Sequence, residues 1–261
     1  MRRLARAAVR TTALVMAAGL VALPHAPVEG PAAATTAPLA GRTIVIDPGH
    51  QLGNHNFPDE TARPVDAGGF QKACNTTGTA TNGGYPEATF AWQVSLLLKA
   101  RLEDRGARVI LTRSTNREDR WGPCIDARGR RGNTLATGGR ADLEISLHGD
   151  GCVGCGSGFH VIAPQSRTGW TDDIAASSLA FARTLRSRLH QAGLPYAPYV
   201  NGGSGLDVRG DLGTLNWSDK PIAMVELGNM RARADAYRMT HRSGRRLYAD
   251  ALTAAIVARL T

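Results

Sequence analysis

The chain has 261 residues, of which 43% are hydrophobic, and its formal net charge is +9 at pH 7. This length is sufficient for one sizeable hydrophobic core, so the chain does not require a second domain. No apolar stretch after the N-terminal region is long enough to cross a bilayer, which excludes a protein built from membrane-spanning helices.

The N-terminal region has the layout of a secretory signal peptide. Four arginines among the first ten residues precede an apolar stretch at 11–23, and a run rich in Ala, Pro and Thr follows. The apolar stretch is shorter than the roughly 20 residues of a membrane-spanning helix, and an uncleaved signal anchor is the alternative. We expect residues 1–37 to be a signal peptide with a short linker and residues 38–261 to form the exported domain.

The charge of the exported domain is also basic. Removing residues 1–37 takes away four arginines and one glutamate, which lowers the formal net charge from +9 to +6. A basic exported protein suits an anionic partner such as a cell wall or an anionic membrane surface, and nucleic acid is less expected outside the cell. Because most arginines are scattered along the chain, ordinary solubility is an equally good interpretation of the charge.

The domain alternates between predicted strands and helices. Short apolar runs bounded by turn residues predict strands at 43–47, 108–112, 143–147, 158–163 and 221–226. Helical spacing of apolar residues predicts helices at 86–105, 125–135, 172–191 and 243–260, and the Gly- and Asn-rich residues 51–85 predict a long loop. The alternation predicts a single α/β domain with a mainly parallel twisted sheet flanked by helices, whose ligand site lies beyond the carboxyl ends of the strands.

Four residues with metal-binding or acid–base side chains stand where these elements begin or end. His50 follows the first strand, and His148 follows the third. Glu226 ends the last strand, and Glu87 opens the first helix. Two histidines and a carboxylate, with a second carboxylate free to move a proton, are the inventory of a catalytic zinc site.

Each of these residues, taken alone, has a simpler interpretation. A histidine after a strand is more often a hydrogen-bonded turn residue than a metal ligand. Glu87 in the first turn of a helix can simply favour the helix dipole, and Glu226 can be a capping or salt-bridge group. The metal interpretation gains weight because all four residues are predicted at one edge of one sheet.

The four cysteines allow three pairings. Export permits disulfides, and we favour a bond between Cys74 and Cys124, which would tie two loops together. Cys152 and Cys155 have C-x-x-C spacing, which also suits zinc or redox chemistry, although a four-cysteine zinc site normally shows two such close pairs. We expect Cys152 and Cys155 to form a second, strained or partly reduced pair.

Five segments occur in a defined order between about Arg42 and Leu260. They are IVIDPGH at 44–50, Glu87 with its long helix, GARVILTR at 106–113, RADLEISLH at 140–148 and AMVELGN at 223–229. Together they resemble the zinc-dependent N-acetylmuramoyl-L-alanine amidases of the type-3 amidase family. The order and context of the segments are specific, whereas any one of them alone is weak.

This resemblance implies an enzyme that cleaves the amide bond between N-acetylmuramic acid and L-alanine in peptidoglycan. It implies one Zn²⁺ per chain, with His50, Glu87 and His148 as ligands, and Glu226 as the catalytic carboxylate. Peptidoglycan is then the expected partner, with no nucleic acid and no stable membrane insertion after signal cleavage. We expect a monomer that is periplasmic, associated with the cell wall or secreted.

For residues outside this set, the sequence gives weaker evidence of a functional role. Arg209, shortly before the last strand, can hold a carboxylate of the stem peptide. Trp121, Trp217 and Tyr199 lie in predicted loops and are candidates for sugar or peptide contact. His160 lies in a predicted strand, where it either faces the cleft or packs in the core.

Three other functions are open at this point. A zinc peptidase that acts on the stem peptide would use the same metal site, and an inactive homologue that binds the wall would keep the fold. A redox protein would use Cys152 and Cys155. The stretch 149–155 is where the chain departs most from the family pattern, because GDG and the C-x-x-C pair follow His148.

Overall fold

Residues 8, 11–14 and 37–261 are described by the computed structural model of this protein. The predicted signal peptide, residues 1–37, therefore lies almost entirely outside the described residues. Within the described ranges, no helix combines the length and the apolar character that a membrane span requires.

The apolar runs of the sequence form the strands of one main sheet. The strands are β1 (Thr43–Pro48), β2 (Pro64–Asp66), β3 (Gln71–Ala73), β4 (Arg108–Leu111), β5 (Leu143–Asp150), β6 (His160–Pro164), β7 (Leu206–Arg209) and β8 (Ile222–Asn229). Six of them form the main sheet in the order β4-β1-β5-β8-β6-β7, and β2 pairs with β3 in a separate antiparallel hairpin.

Helices connect these strands. They are α1 (Pro58–Ala62), α2 (Glu87–Glu103), α3 (Ile125–Gly129), α4 (Ala175–Gln191), α5 (Gly213–Asn216), α6 (Arg233–Thr240) and α7 (Arg242–Leu260), with short 3-10 turns at Leu52–Asn56 and Asn201–Gly203. Pro86 caps the start of α2, and Gly106, with a φ of 89°, turns the chain after its end. Both residues act as the sequence predicts, since Pro starts helices and Gly adopts positive φ without steric cost.

The direction of the strands determines where a site can form. β4, β1, β5 and β8 run parallel to one another, whereas β6 is antiparallel to β8 and parallel to β7. The predicted α/β domain with a mainly parallel sheet is therefore confirmed. The carboxyl ends of β1, β5 and β8 meet at one edge, which is where ligands bind in sheets of this kind.

One face of the main sheet is apolar. Because side chains alternate along a strand, every second residue of the central strands points to this face, where α2, α4 and α7 cover it. The strand residues in this core are Ile44, Ile46, Leu143, Ile145, Leu147, Val161, Ala163, Ala223, Val225 and Leu227. Burial of this apolar surface is the main favourable term in the folding of the domain.

The opposite face carries buried polar groups. Asp47 of β1 accepts hydrogen bonds from Ser146 Oγ of β5 at 2.7 Å and from the guanidinium of Arg128 of α3 at 2.6 Å. Deeper along the same face, Lys220 Nζ lies 2.7 Å from a carboxylate oxygen of Glu144, and both side chains are fully buried. These pairings compensate the buried charges for the loss of their hydration. Charged groups are buried in proteins only when they are paired in this way.

The predicted long loop at 51–85 is wrong in part, because this segment contains a 3-10 turn, α1 and the β2–β3 hairpin. The hairpin turn is closed by the side chain of Asp66, which accepts hydrogen bonds from the backbone N–H groups of Gly68 and Gly69 at 2.8 and 2.7 Å. Such short-range side-chain turns stabilise polar segments without an apolar pattern.

The predicted helix at 125–135 is also wrong in length, since α3 ends at Gly129. The chain turns at Gly132, which has a φ of 83° and lies so close to β1 that a Cβ atom would be 2.6 Å from Val45 Cγ2. In addition, the sequence patterns did not predict β7, α5 or α6, which are short or carry few apolar residues.

The buried Asp47 carboxylate should make folding stability depend on acid pH. Burial acts to raise its pKa, but Arg128, Thr112 and Ser146 outweigh burial and lower the pKa from 3.8 to about 2. The carboxylate therefore stabilises the fold above pH 3.8, and this stabilisation, about 2 kcal/mol, is lost as the pH falls towards 2.

We expect urea denaturation of Asp47→Asn to show a lower free energy of unfolding than the wild type at pH 7, with the difference shrinking between pH 4 and pH 2. Asp173→Asn, at an exposed position, serves as the control and should follow the wild type. Parallel pH profiles for the wild type and Asp47→Asn would show that this carboxylate does not stabilise the fold.

Candidate metal centre

Three strands and one helix bring four polar side chains to one edge of the main sheet. β1 ends at Pro48, and His50 follows two residues later. His148 of β5 and Glu226 of β8 stand opposite each other in the strand register, and Glu87 is the first residue of α2. In the structure, these side chains lie at the carboxyl edge of the sheet, as the sequence predicts.

His50, Glu87 and His148 converge on one another. Glu87 Oε1 lies 3.1 Å from His50 Nε2 and 2.8 Å from His148 Nδ1. The candidate ligand atoms of the three residues all lie within 4.8 Å of one another, and the side chains are only 5–14% exposed. Two imidazole nitrogens and one carboxylate oxygen are a donor set that fits Zn²⁺ and leaves a fourth position open.

Backbone groups orient these side chains. The Nδ1–H of His50 donates to the carbonyl oxygen of Thr76 at 3.0 Å, so its Nε2 faces Glu87. The backbone N–H of Thr79 donates to Glu87 Oε2 at 2.8 Å, and that of Gly149 donates to Oε1 at 3.2 Å. Hydrogen bonds of this kind are typical behind metal ligands, because they set the tautomer and the direction of the donor atom.

Two glycines allow the ligands to sit this close to the backbone. A Cβ atom on Gly49 would lie 2.5 Å from His148 Cε1. A Cβ atom on Gly78 would lie 2.7 Å from Glu87 Oε2, and the φ of Gly78 is 76°. Any other residue at either position would displace a candidate ligand, so the backbone forms a cradle that fits the three side chains.

The electrostatics of the three residues favour positive charge between them. Burial acts to raise the pKa of Glu87, but the neighbouring His50 and His148 outweigh burial and hold that pKa well below its usual range. Burial acts to lower the pKa of His50, but the Glu87 carboxylate outweighs it and raises the pKa. A negatively charged carboxylate flanked by two imidazoles is an environment that suits a bound cation.

Glu226 has the opposite electrostatic environment. Burial raises its pKa well above the usual range, and the negative charges of Glu87 and Asp150 raise it further. Its side chain is half-buried, and Oε2 is fully buried with no hydrogen-bond partner among the described residues. A carboxyl group with a raised pKa in a cleft suits general acid–base catalysis.

Two buried arginines hold the turn that carries His50. Arg128 donates to the carbonyl oxygens of Pro48 and His50 at 2.8 and 2.6 Å, in addition to its bond with Asp47. Arg113 donates to the carbonyl oxygens of Pro48 and Gly49 at 3.0 and 3.3 Å. His50 has a φ of 55°, a strained conformation for a residue other than glycine, and these bonds stabilise it.

The four side chains lie in an open cleft with a volume of about 340 Å³. Its walls come from the segment after the β2–β3 hairpin, from α3 and from the start of α5. Lining residues besides the four include Lys72, Thr76, Arg128, Asp150, Leu212 and Thr214. A cleft of this size with convergent polar groups is the usual form of an active site.

Comparison with protein families identifies the family of this chain. The family model described as N-acetylmuramoyl-L-alanine amidase matches residues 44–258, which is most of the chain. The chain belongs to this family. A curated relative, the N-acetylmuramoyl-L-alanine amidase Rv3717 of Mycobacterium tuberculosis, is 40% identical over 238 residues, which cover 91% of this chain and 94% of the relative.

Solved structures of the family have the same fold. The N-acetylmuramyl-L-alanine amidase Ami1 of Mycobacterium smegmatis matches with a TM-score of 0.77 and 35% identity, over 85% of this chain and 98% of that one. The apo form of Ami1 from Mycobacterium abscessus matches with a TM-score of 0.77 and 40% identity, over 85% of this chain and 100% of that one. The predicted relationship to the type-3 amidases is therefore confirmed.

The weaker candidates from the sequence do not belong to the group formed by His50, Glu87 and His148. Arg209, on β7, is partly exposed and donates two hydrogen bonds to Asp211, at 2.8 and 2.7 Å. Trp217 Nε1 donates to the carbonyl oxygen of Asp66, and Trp121 is an exposed residue beside another arginine. A role for Arg209 or the tryptophans in substrate contact stays a prediction.

Sequence reasoning missed the two arginines that shape the site, Arg113 and Arg128. Their acceptors are carbonyl oxygens in the 48–50 turn, distant in sequence, so no local pattern signals the contacts. The signal that could have found Arg113 is its position at the end of 106–113, one of the segments that carry the family resemblance.

Two disulfides, Cys74–Cys124 and Cys152–Cys155, are present in the structure. Cys124 caps the start of α3, and the backbone N–H of Ile125 donates to the carbonyl oxygen of Cys74 at 2.8 Å. Because Cys74 lies two residues before Thr76, the first disulfide ties the segment that orients His50 to the helix that carries Arg128.

We expect the first disulfide to contribute more to stability than the second. A disulfide restricts the unfolded chain by an amount that grows with the logarithm of the loop length, and the sequence separations are 50 and 3 residues. The double variant Cys74→Ser/Cys124→Ser should lose about 2–4 kcal/mol of unfolding free energy in urea denaturation. The matched variant Cys152→Ser/Cys155→Ser should lose much less, and equal losses would contradict this account.

Proposed function

We propose that this protein is an exported, zinc-dependent amidase that hydrolyses the amide bond between N-acetylmuramic acid and L-alanine in peptidoglycan. The observation that carries the proposal is the convergence of two imidazoles and a carboxylate beside Glu226 in one cleft. The relatives supply the identity of the bond, because Rv3717 and Ami1 are named for this amidase activity.

One Zn²⁺ per chain is held, in this proposal, by His50, Glu87 and His148. The donor set supports zinc, and so do the backbone hydrogen bonds that orient the donors and the glycine cradle that admits them. When bound, the zinc supplies Lewis acidity, which polarises a carbonyl group and lowers the pKa of a nearby water molecule.

Glu226 moves the proton in this proposal. The carboxylate oxygen other than the buried Oε2 accepts a proton from the attacking water molecule and then delivers it to the nitrogen of the leaving L-alanine. The products are the carboxylic acid of the muramic acid lactyl group and a peptide with a free amino terminus. Its raised pKa and its position opposite His148 support this role, because the carboxyl group must hold the proton between the two transfers.

Cationic side chains near the mouth of the cleft suit an acidic stem peptide. Lys72 lines the cleft, and both Lys72 and Arg209 contact the carboxylate of Asp211, so this cluster of three carries a net positive charge. Guanidinium and ammonium groups bind carboxylates by charge-assisted hydrogen bonds. We therefore assign the stem peptide, rather than the glycan, to this side of the cleft.

The chain's first 37 residues and its cysteines support export. The arginine-rich start followed by an apolar stretch is the layout of a signal peptide. Both disulfides require an oxidising compartment to persist. In this proposal the mature enzyme acts in the periplasm, at the cell wall or in the medium.

Glu226→Gln should lower kcat by roughly 10²–10⁴ without loss of zinc, because it removes proton transfer and keeps the shape of the side chain. Mass spectrometry of digested muropeptides measures the effect, since an amidase releases intact peptides that begin with L-alanine. Glu103→Gln, at an exposed position on α2, is the matched control and should keep full activity. Normal digestion by Glu226→Gln would remove Glu226 from the mechanism, and cleavage within the peptide would identify a peptidase instead.

His148→Ala should lose stoichiometric zinc, because it removes one of three donors. Elemental analysis of the purified protein measures the metal content. His55→Ala is the control, since His55 is an exposed residue outside the converging group and should leave one zinc per chain. If His148→Ala retains one zinc per chain, His148 is not a ligand.

A further inference from the structure

A third residue stands in line with His148 and Glu226 on the polar face of the main sheet. In the strand register, Glu226 of β8 lies opposite His148 of β5 on one side and opposite His160 of β6 on the other. Side chains directly opposite each other project from the same face, with Cβ atoms about 4.5–5.5 Å apart. Glu226 therefore lies between two histidines.

Glu226 and His160 each have a buried polar atom without a protein partner. Glu226 Oε2 and His160 Nδ1 are inaccessible to solvent, and neither has a hydrogen-bond partner anywhere in residues 37–261. His160 is only 6% exposed. In folded proteins such atoms nearly always have a partner, and an orphaned pair on neighbouring side chains calls for a common explanation.

His160 is not placed to be a metal ligand. It lies on the far side of Glu226 from His148 and does not belong to the group formed by His50, Glu87 and His148. Because Glu226 separates His160 from that group in the strand register, Glu226 is the residue of the site that is adjacent to His160 in the sheet.

The surroundings of His160 keep its imidazole in place and neutral. The ring of Tyr199 packs edge-on against it, with ring centroids 6.4 Å apart. Asp150, Asp207 and Arg209 are the charged groups that act on it, and burial outweighs them and lowers the pKa of His160. A neutral imidazole has one N–H donor and no charge of its own to add to the cleft.

We propose that His160 is a positioning residue for Glu226. Its Nδ1–H is the hydrogen-bond donor for Oε2, the buried oxygen of Glu226, when the carboxyl group is ionised. This hydrogen bond keeps the other carboxylate oxygen facing the cleft, so that the proton is transferred at a defined place. The inference rests on the proposed role of Glu226. It adds a residue that lies outside the group formed by His50, Glu87 and His148.

The experiment compares three substitutions at His160 in the full-length protein. His160→Asn keeps an N–H donor close to the position of Nδ1, whereas His160→Gln moves it to the position of Nε2, and His160→Leu removes it. We expect His160→Leu and His160→Gln to lower kcat by about 10–100-fold with unchanged KM and unchanged zinc content, and His160→Asn to retain most of the activity.

A double-mutant comparison separates positioning from packing. In a Glu226→Gln background, His160→Leu should have no further effect on kcat, because the group that it positions is no longer functional. Equal kcat values for His160→Asn and His160→Gln would overturn the inference, and so would an equal loss from His160→Leu in both backgrounds. Should His160→Leu fail to fold, the comparison of Asn with Gln decides.

The activity of the wild type distinguishes a failure of this inference from a failure of the proposed function. If the wild type releases no peptide from muropeptides, the proposed function fails. If the wild type is active and Glu226→Gln is inactive, but the three His160 variants retain wild-type kcat, only the role of His160 fails.

Discussion

The ion pair between Asp47 and Arg128 is the contact on which the site depends. The guanidinium of Arg128 binds the carboxylate at 2.6 Å and also the carbonyl oxygens of Pro48 and His50. Those carbonyls belong to the turn in which His50 takes a positive φ, a conformation that costs about 1–3 kcal/mol. Without a fully bonded arginine beneath the turn, His50 would relax towards a common conformation, and its imidazole would no longer face Glu87.

The two faces of the main sheet explain how one small domain combines stability with a polar cleft. The apolar face, covered by α2, α4 and α7, buries the side chains that drive folding. The other face then carries Asp47, Ser146 and Glu144 as buried, paired groups, and further along it His148, Glu226 and His160 stand in one row. Because a one-residue slip of a strand would exchange the faces, the apolar core also fixes which residues reach the cleft.

The sequence predicts β1, β4, β5, β6 and β8 and the placement of four polar side chains at one edge of the sheet, because short apolar runs and the ends of parallel strands are local signals. His50, His148 and Glu226 each follow or end such a run. It does not predict the short helix and the hairpin within 51–85. This segment has no apolar pattern and is stabilised by a side-chain turn at Asp66 and a disulfide at Cys74. The roles of Arg113 and Arg128 escape as well, because their partners are backbone carbonyls more than 60 residues away along the chain.

The central claim is that two imidazoles and one carboxylate, from His50, His148 and Glu87, hold a zinc ion. X-ray absorption spectroscopy at the zinc edge, recorded on the zinc-loaded protein, tests it most directly because it reports the elements bound to the metal. The account predicts nitrogen and oxygen ligands with the signature of two imidazoles and no sulfur. Sulfur among the ligands would place the metal at the cysteines, and the absence of imidazole scattering would contradict the assignment of His50 and His148.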